Sequence, residues 1–383
     1  MSFHGRRFCV ALVLFLGLSG DAKAQPAAIT SENLTEWLES VRGRYSVPSL
    51  GVAILVQGRV TIAATGRRKY DDPTPVTADD VYHLGSCTKS MTAVLLAYLV
   101  QDGLLSWEST LAQLFPELSE GMCPAYRAVT LRQLLEHRAG LSAETWPLEL
   151  GDSFWRASPD SMTAQRLTYI KAILSEEPQS VPGSKFLYAN RDYILAGAIA
   201  ERVAGKSWET LMQERIFEPL HMSSAGFGTT SSKGKLNAVW SHYRREGKVV
   251  AASGIDADNP AMAAPAGTVH STLDDWAKYI LFVLQGAEGQ DTTLSKTNFA
   301  AMLTPPHGAD YAFGWKTVQC EWGGGTVLTH NGTNQGNFCV AWVAPKRDFA
   351  VLVVTNCGGG NKVCDEVVNT LVAQFAGKPP QRQ

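Results

Sequence analysis

Two apolar strand pairs stand at opposite ends of this chain, and their separation restricts the fold more than any other feature. Ser49-Leu50-Gly51-Val52-Ala53-Ile54-Leu55-Val56 and Val60-Thr61-Ile62-Ala63-Ala64 flank Gln57-Gly58-Arg59. Phe338-Cys339-Val340-Ala341-Trp342-Val343 and Phe349-Ala350-Val351-Leu352-Val353-Val354 flank Ala344-Pro345-Lys346-Arg347-Asp348. Short runs of β-branched and aromatic residues bounded by turn residues read as hairpins. Each hairpin lies beside a segment of helical spacing: Leu34, Leu38, Val41 and Tyr45 after Ser31, which is expected to cap them, and Val367, Val368, Leu371, Val372 and Phe375 near the other end. The simplest assembly is an α+β fold. One antiparallel sheet is built from both chain ends and flanked by helices, and the middle, roughly 71–305, is inserted as a mainly helical lobe.

Within that lobe, residues 82–103 predict a mostly buried helix. Met91, Val94, Leu95, Tyr98 and Leu99 recur at helical spacing, and Gly103 suits the position just past its C-terminus. Its opening carries the polar exception, Ser86 with Lys89 three residues later, so both side chains share one face. A helix N-terminus favours an alkoxide at Ser86 and opposes protonation of Lys89. Ser-x-x-Lys also occurs by chance, and Ser86 read alone is as easily an ordinary N-cap. Burial tips the balance, because a lysine one turn into an apolar helix must lose solvent unless it lines a cleft.

Further helices are expected from Thr130 to His137, Asp192 to Val203, Ser207 to Phe217 and Thr272 to Gly286. His137 is expected to pack at a helix end rather than to act in catalysis. Tyr188-Ala189-Asn190 places a phenol and an amide on one side of an extended or turn segment. A phenol of depressed pKa can relay protons, and an amide can hold a substrate carbonyl. Leu328 to Thr333, containing His330-Asn331-Gly332, reads as a strand edge where glycine permits close approach of a substrate.

The 383 residues, 45% hydrophobic and 18% charged, are enough for a large core, in two lobes or one composite domain. A formal net charge of -2 leaves no electrostatic footprint for nucleic acid, and that partner class is dropped. Arg6 and Arg7, the apolar run Phe8 to Leu18 and Ala22-Lys23-Ala24 before Gln25 read as a secretory signal peptide over 1–24. No later segment is long and apolar enough to span a bilayer. The mature domain is then 25–383, exported to the periplasm or beyond, and six of the seven cysteines remain in it. Disulfides are permitted there. Cys320 with Cys339 and Cys357 with Cys364 are both geometrically possible, and sequence does not fix the pairing. Cys87 reads as a small buried apolar residue. No His or Cys pair has metal-ligand spacing, so neither a metal site nor a cofactor is expected.

Taken together, Ser86-Cys87-Thr88-Lys89, Tyr188-Ala189-Asn190 and His330-Asn331-Gly332 resemble the motifs of the serine β-lactamase and penicillin-binding protein superfamily. The resemblance is to the class C β-lactamase and D-Ala-D-Ala carboxypeptidase branch, which also holds esterases and D-aminopeptidases. It covers most of residues 31–375, including Leu131 to Leu141, Ile216 to Met222 and Ala264-Pro265-Ala266-Gly267. It implies that Ser86 is the acylated nucleophile, activated by Lys89 with Tyr188, which also shuttle the proton to the leaving group. Asn190 would orient the substrate carbonyl, and the backbone N–H groups of Ser86 and Thr333 would form the oxyanion hole, worth ~3–4 kcal/mol per donor. His330 and Gly332 would line the substrate position.

One departure bears on substrate. Class C β-lactamases usually carry Lys-Thr-Gly where this chain has His330-Asn331-Gly332, and histidine there is similar to the carboxypeptidase, esterase and aminopeptidase members. The implied function is a secreted serine hydrolase acting through an acyl-enzyme on D-amino-acid peptides, esters or β-lactams. The alternatives are an active class C-type β-lactamase, or a non-catalytic relative that binds penicillin or peptidoglycan fragments.

Overall fold

The computed structural model describes residues 28–147, 158, 160–252 and 257–376. The expected leader over 1–24, with Cys9, lies outside them. The N-terminal segment forms helix α1 (Leu34–Tyr45) and strands β1 (Ser49–Val56) and β2 (Arg59–Gly66). Val56 pairs with Arg59, so the connecting loop is only Gln57-Gly58, with φ of 50° and 73°. A two-residue turn with both φ positive matches the right-handed twist of its strands.

The middle of the chain contains α2 (Thr88–Gln101), α3 (Leu131–Leu135), α4 (Met162–Ser175), α5 (Asn190–Ala204), the single turn α6 (Ala264–Gly267) and α7 (Leu273–Ala287). It also holds strands that the apolar pattern did not reveal. These are β3 (Tyr82–His83), β4 (Gly226–Phe227), the hairpin β5 (Ser241–Arg245) and β6 (Lys248–Ala252), and β7 (Val269–Ser271). Two- and three-residue strands are too short to show an alternation. The stretch expected as one helix from Ser207 to Phe217 is instead Trp208–Met212 continued by a π turn, Gln213–Phe217.

The C-terminal part supplies β8 (Lys316–Cys320), β9 (Gly325–Thr333), β10 (Phe338–Ala344), β11 (Phe349–Thr355) and α8 (Asn361–Leu371). The sheet order is β2-β1-β11-β10-β9-β8. The two ends of the chain therefore meet at β1 and β11, antiparallel from Gly51 opposite Val354 to Val56 opposite Phe349. Alternate residues of β11 serve different cores. Ala350, Leu352 and Val354 pack with Val94 and Leu95 of α2, Ile194 of α5 and Ile280 of α7. Phe349, Val351 and Val353 pack with Leu34, Leu38 and Val41 of α1 and Val363, Val367 and Leu371 of α8. A strand between two covered faces reads as a continuous apolar run, and every residue of β11 is buried.

All six cysteines among the described residues are free thiols. Neither pairing left open by the sequence is formed. For Cys320 and Cys339 the register gives the reason: Cys320 lies opposite Gly325 and Cys339 opposite Gly332, at the two ends of β9. Seven residues of strand separate those positions by roughly 23 Å, far beyond disulfide reach. Cys339 instead faces Cys87, with 3.6 Å between the sulfurs. Among the described residues, no helix is long and apolar enough to cross a membrane.

Candidate active site

Ser86 sits in a 3₁₀ turn, Gly85–Cys87, that leads directly into α2. Neither helix start is capped by a side chain, so Ser86 is not an N-cap. Its hydroxyl is not spent on a cap, and the residue is half-buried. Lys89, one turn on, is fully buried. Its Nζ lies 3.1 Å from Ser86 Oγ, 2.8 Å from Asn190 Oδ1 and 2.7 Å from the carbonyl oxygen of Ala266 in α6. Two of these three partners can only accept. A neutral amine has two hydrogens and one lone pair, so with its N–H groups on Asn190 and Ala266 its lone pair faces the Ser86 O–H. Burial supplies that neutrality. It lowers the Lys89 pKa from 10.5 to about 7, against the opposing pull of Asp192.

Tyr188 covers this pair, its ring centroid 4.9 Å from Lys89 Nζ. The sequence reading allowed a phenol of depressed pKa, and the structure corrects it. Desolvation pushes the Tyr188 pKa above the ordinary tyrosine value, and the hydrogen bond with Ser86 offsets this only in part. Tyr188 is a phenol, not a phenolate, at neutral pH. Of the two partners beside Ser86, the lysine is therefore the one able to take up a proton.

Asn190, the first residue of α5, gives its Oδ1 to Lys89 and directs Nδ2 to Thr145 Oγ1 at 3.2 Å. Its amide is thus an anchor for the lysine, rather than a free group awaiting a substrate carbonyl. His330 on β9 is buried, with Nδ1 2.6 Å from the Asn331 carbonyl oxygen and Nε2 3.0 Å from the Tyr311 hydroxyl. The carbonyl only accepts, so the ring carries a hydrogen on Nδ1, and its Nε2 is engaged with the Tyr311 hydroxyl. A substrate carboxylate would have to displace Tyr311 to reach it. A cavity of about 550 Å³ opens beside Tyr188, Tyr311 and His330 and continues along Lys316 and Asn331.

Gly332 contributes backbone, not side chain. A Cβ there would lie 2.0 Å from the Leu84 carbonyl oxygen, and a Cβ on Gly85, whose φ is +48°, would lie 2.4 Å from the Thr333 nitrogen. Only glycine at both positions lets the turn bearing Ser86 approach β9 this closely. The Ser86 and Thr333 backbones are thereby brought side by side.

His137 is fully buried at positive φ (55°) just beyond α3. It packs against the rings of Tyr188 (4.4 Å) and Tyr311 (4.9 Å), and its Nδ1 is 2.6 Å from Asp192 Oδ2. Burial holds His137 well below its ordinary pKa and pushes Asp192 well above, with Lys89 pulling the carboxyl back down. The pair forms the rear wall of the site. Asp192, Thr145, Tyr311 and the Ala266 carbonyl were not found as site components from the sequence. Each belongs to a different segment, and only tertiary packing gathers them.

The α+β fold thus sets a half-buried serine within hydrogen-bond distance of a buried lysine, under a tyrosine ring. The chain belongs to the β-lactamase family, whose model matches residues 34–374. Penicillin-binding protein 4 of Amycolatopsis lactamdurans is 24% identical over 351 residues, 89% of each chain. Protein flp of Staphylococcus aureus (strain COL) is 23% identical over 81% of this chain, which spans only 60% of that protein. Among solved structures, the octameric penicillin-binding protein homologue from Pyrococcus abyssi superposes with a TM-score of 0.72 at 22% identity, covering 91% of this chain and 79% of that one. SurE with D-Leu gives 0.71 at 21%, covering 92% and 77%.

Proposed function

We propose that this protein is an exported serine acyl hydrolase that forms an acyl-enzyme on Ser86, with D-amino-acid peptides, esters or β-lactams as acyl donors. The observation that carries the reading is the Lys89 amine, which is desolvated, held by two acceptors and 3.1 Å from Ser86 Oγ. Lys89 takes the Ser86 proton as Oγ attacks the carbonyl, and the N–H groups of Ser86 and Thr333 receive the developing oxyanion. The Tyr188 phenol, beside both, hands a proton to the leaving group and regains one from Lys89. Water then attacks the acyl carbonyl as Lys89 takes its proton, the Oγ–acyl bond breaks to release the free acid, and Lys89 returns the proton to Ser86 Oγ.

Export rests on the leader pattern of residues 6–24 in the sequence. The β-lactam part of this reading is supported by a relative named a penicillin-binding protein, and the D-amino-acid part by a solved neighbour titled with D-Leu. His330 bears on β-lactams, since an imidazole whose two nitrogens are already engaged by Tyr311 and the Asn331 carbonyl holds a substrate carboxylate less firmly than a free ammonium. β-Lactams should therefore acylate Ser86 faster than they are released, because the retained ring remnant obstructs the water that a small ester product leaves free.

The test is turnover of nitrocefin, a short-chain nitrophenyl ester and a D-Ala-D-Ala peptide, with intact-mass detection of the adduct. Ester turnover together with a persistent β-lactam adduct at Ser86, absent from Ser86→Ala, is the expected result. Nitrocefin turnover at ~10 s⁻¹ or faster without an adduct would reassign the protein as a β-lactamase. An adduct with no turnover of any substrate would make it a binding relative.

A further inference from the structure

We propose that Asp258 is a positioning residue for the oxyanion hole, a single carboxylate that sets both backbone segments from which its two N–H donors come. The inference rests on the acyl-enzyme reading above and adds to it a residue that no motif contains.

On one side, Asp258 Oδ2 lies 2.8 Å from His83 Nε2, and His83 Nδ1 lies 3.0 Å from the Gly85 backbone nitrogen. A backbone N–H only donates, so Nδ1 is the acceptor and the imidazole hydrogen is on Nε2, donated to Asp258. The carboxylate thereby fixes the tautomer in which His83 can hold Gly85. Gly85 stands at φ +48° immediately before Ser86, and with its N–H pinned, the next peptide, carrying the Ser86 N–H, has its orientation set.

On the other side, Asn334 Nδ2 donates to Asp258 Oδ1 at 3.2 Å and to the Ala257 carbonyl oxygen at 3.0 Å. Asn334 Oδ1 accepts from Asn337 Nδ2 at 3.0 Å, and the Asn337 carbonyl oxygen accepts from Thr333 Oγ1 at 2.8 Å. Asn334 directly follows Thr333, the source of the second N–H. Asp258 Oδ1 also accepts the Asn259 N–H at 2.7 Å, which holds the carboxylate to its own loop. His83, Asn334 and Asp258 are all buried, so these contacts are shielded from competing water.

Asn at position 258 keeps the shape but has one acceptor oxygen where the carboxylate has two. Its NH₂ must meet either a His83 N–H or the Asn334 NH₂, or force His83 into the tautomer that points a hydrogen at the Gly85 N–H. One arm is lost in every case.

The test compares Asp258→Asn with wild type on an ester and its thionoester, in which sulfur, a poor acceptor, occupies the oxyanion position. Acylation is followed in single turnovers, and folding by circular dichroism. Asp258→Asn is expected to acylate with ester roughly ten- to a hundredfold more slowly, while thionoester acylation changes little, so the ester-to-thionoester ratio falls at least fivefold. His83→Leu and Asn334→Ala, which each cut one arm, should show the same fall in smaller measure. They carry the prediction if Asp258→Asn does not fold. His83→Asn, whose Oδ1 can replace Nδ1 as acceptor, should restore most of the ratio lost in His83→Leu. Equal losses on ester and thionoester would reduce Asp258 to a structural residue and overturn this inference alone. A wild type that forms no ester adduct at Ser86 would overturn the functional reading and this inference with it.

Discussion

In the proposed mechanism Lys89 concentrates the chemistry of the site into one titration. The amine acts as a base only when deprotonated, and its pKa is lowered to about 7 by burial. Ester kcat/KM is therefore expected to rise with pH through about 7 and level off above it, as a pH–rate profile would show. Asp192 opposes the shift, so Asp192→Asn should move that limb to lower pH; a move to higher pH would contradict the assignment. The same titration affects stability. Unfolded Lys89 holds its proton up to about 10.5 and folded Lys89 only to about 7, so between these values the unfolded state binds more protons and stability rises with pH. Wild type should accordingly gain on Lys89→Met in urea titrations as pH is raised from 7 to 10, by at most ~1.4 kcal/mol per pH unit, and show no such trend below 7. Ser86 and Lys89 were legible in sequence because three-residue spacing is a local property of a helix. Asp192 and Tyr311 were not, since their roles exist only once α5 and the loop before β8 are packed against α2.

Among the elements, the contact between α5 and α6 sets where Lys89 is held. Gly197 of α5 faces Pro265, and a Cβ there would lie 2.2 Å from Pro265 Cγ. Ala266, next along α6, supplies the carbonyl that accepts from Lys89. Helix propensity alone favours alanine over glycine by ~1 kcal/mol. At Gly197 the steric cost wins, and Gly197→Ala is expected to destabilise by ~1–3 kcal/mol and to lower kcat as α6 is displaced. Gly43 of α1 has nothing within 4 Å of the same position, so Gly43→Ala should stabilise by ~0.5–1 kcal/mol. Denaturant midpoints of the two variants should move in opposite directions. Nothing in the sequence separates these two glycines, each within a helical pattern; the neighbouring element decides. The Tyr188 pKa is a similar case: the motif supplied a phenol, and only the surroundings showed that burial keeps it protonated.

At the scale of the molecule, both hairpins and the α+β architecture were legible because β1, β10 and β11 are long apolar runs whose identity does not depend on their neighbours. The small sheet β3-β7-β4 was not, although it carries His83 beside the nucleophile turn. The pairing of β1 with β11 joins residues about three hundred positions apart, so closing it costs loop entropy that more local contacts avoid. Yet the segments outside this pair end close together: the Ile29 N–H donates to Gln374 Oε1 at 2.9 Å. Asp291, in the turn after α7, is fully exposed and has only a surface contact with Lys296 at 3.4 Å. A circular permutant that joins residue 376 to residue 28 through a short Gly/Ser linker and opens the chain between Gln290 and Asp291 should keep both cores, the sheet order and the site. It brings β11 and β1 to within roughly fifty residues plus the linker, so its refolding should be faster than wild type, by more than the small loop-entropy difference alone if this pairing forms in the folding nucleus. Ester turnover within about threefold of wild type, with the faster refolding phase seen by stopped-flow tryptophan fluorescence, is the expected result. A permutant that folds no faster would place the β1 and β11 pairing after the rate-limiting step, and one that folds but loses turnover would show that Gln290 and Asp291 matter to a site they do not touch.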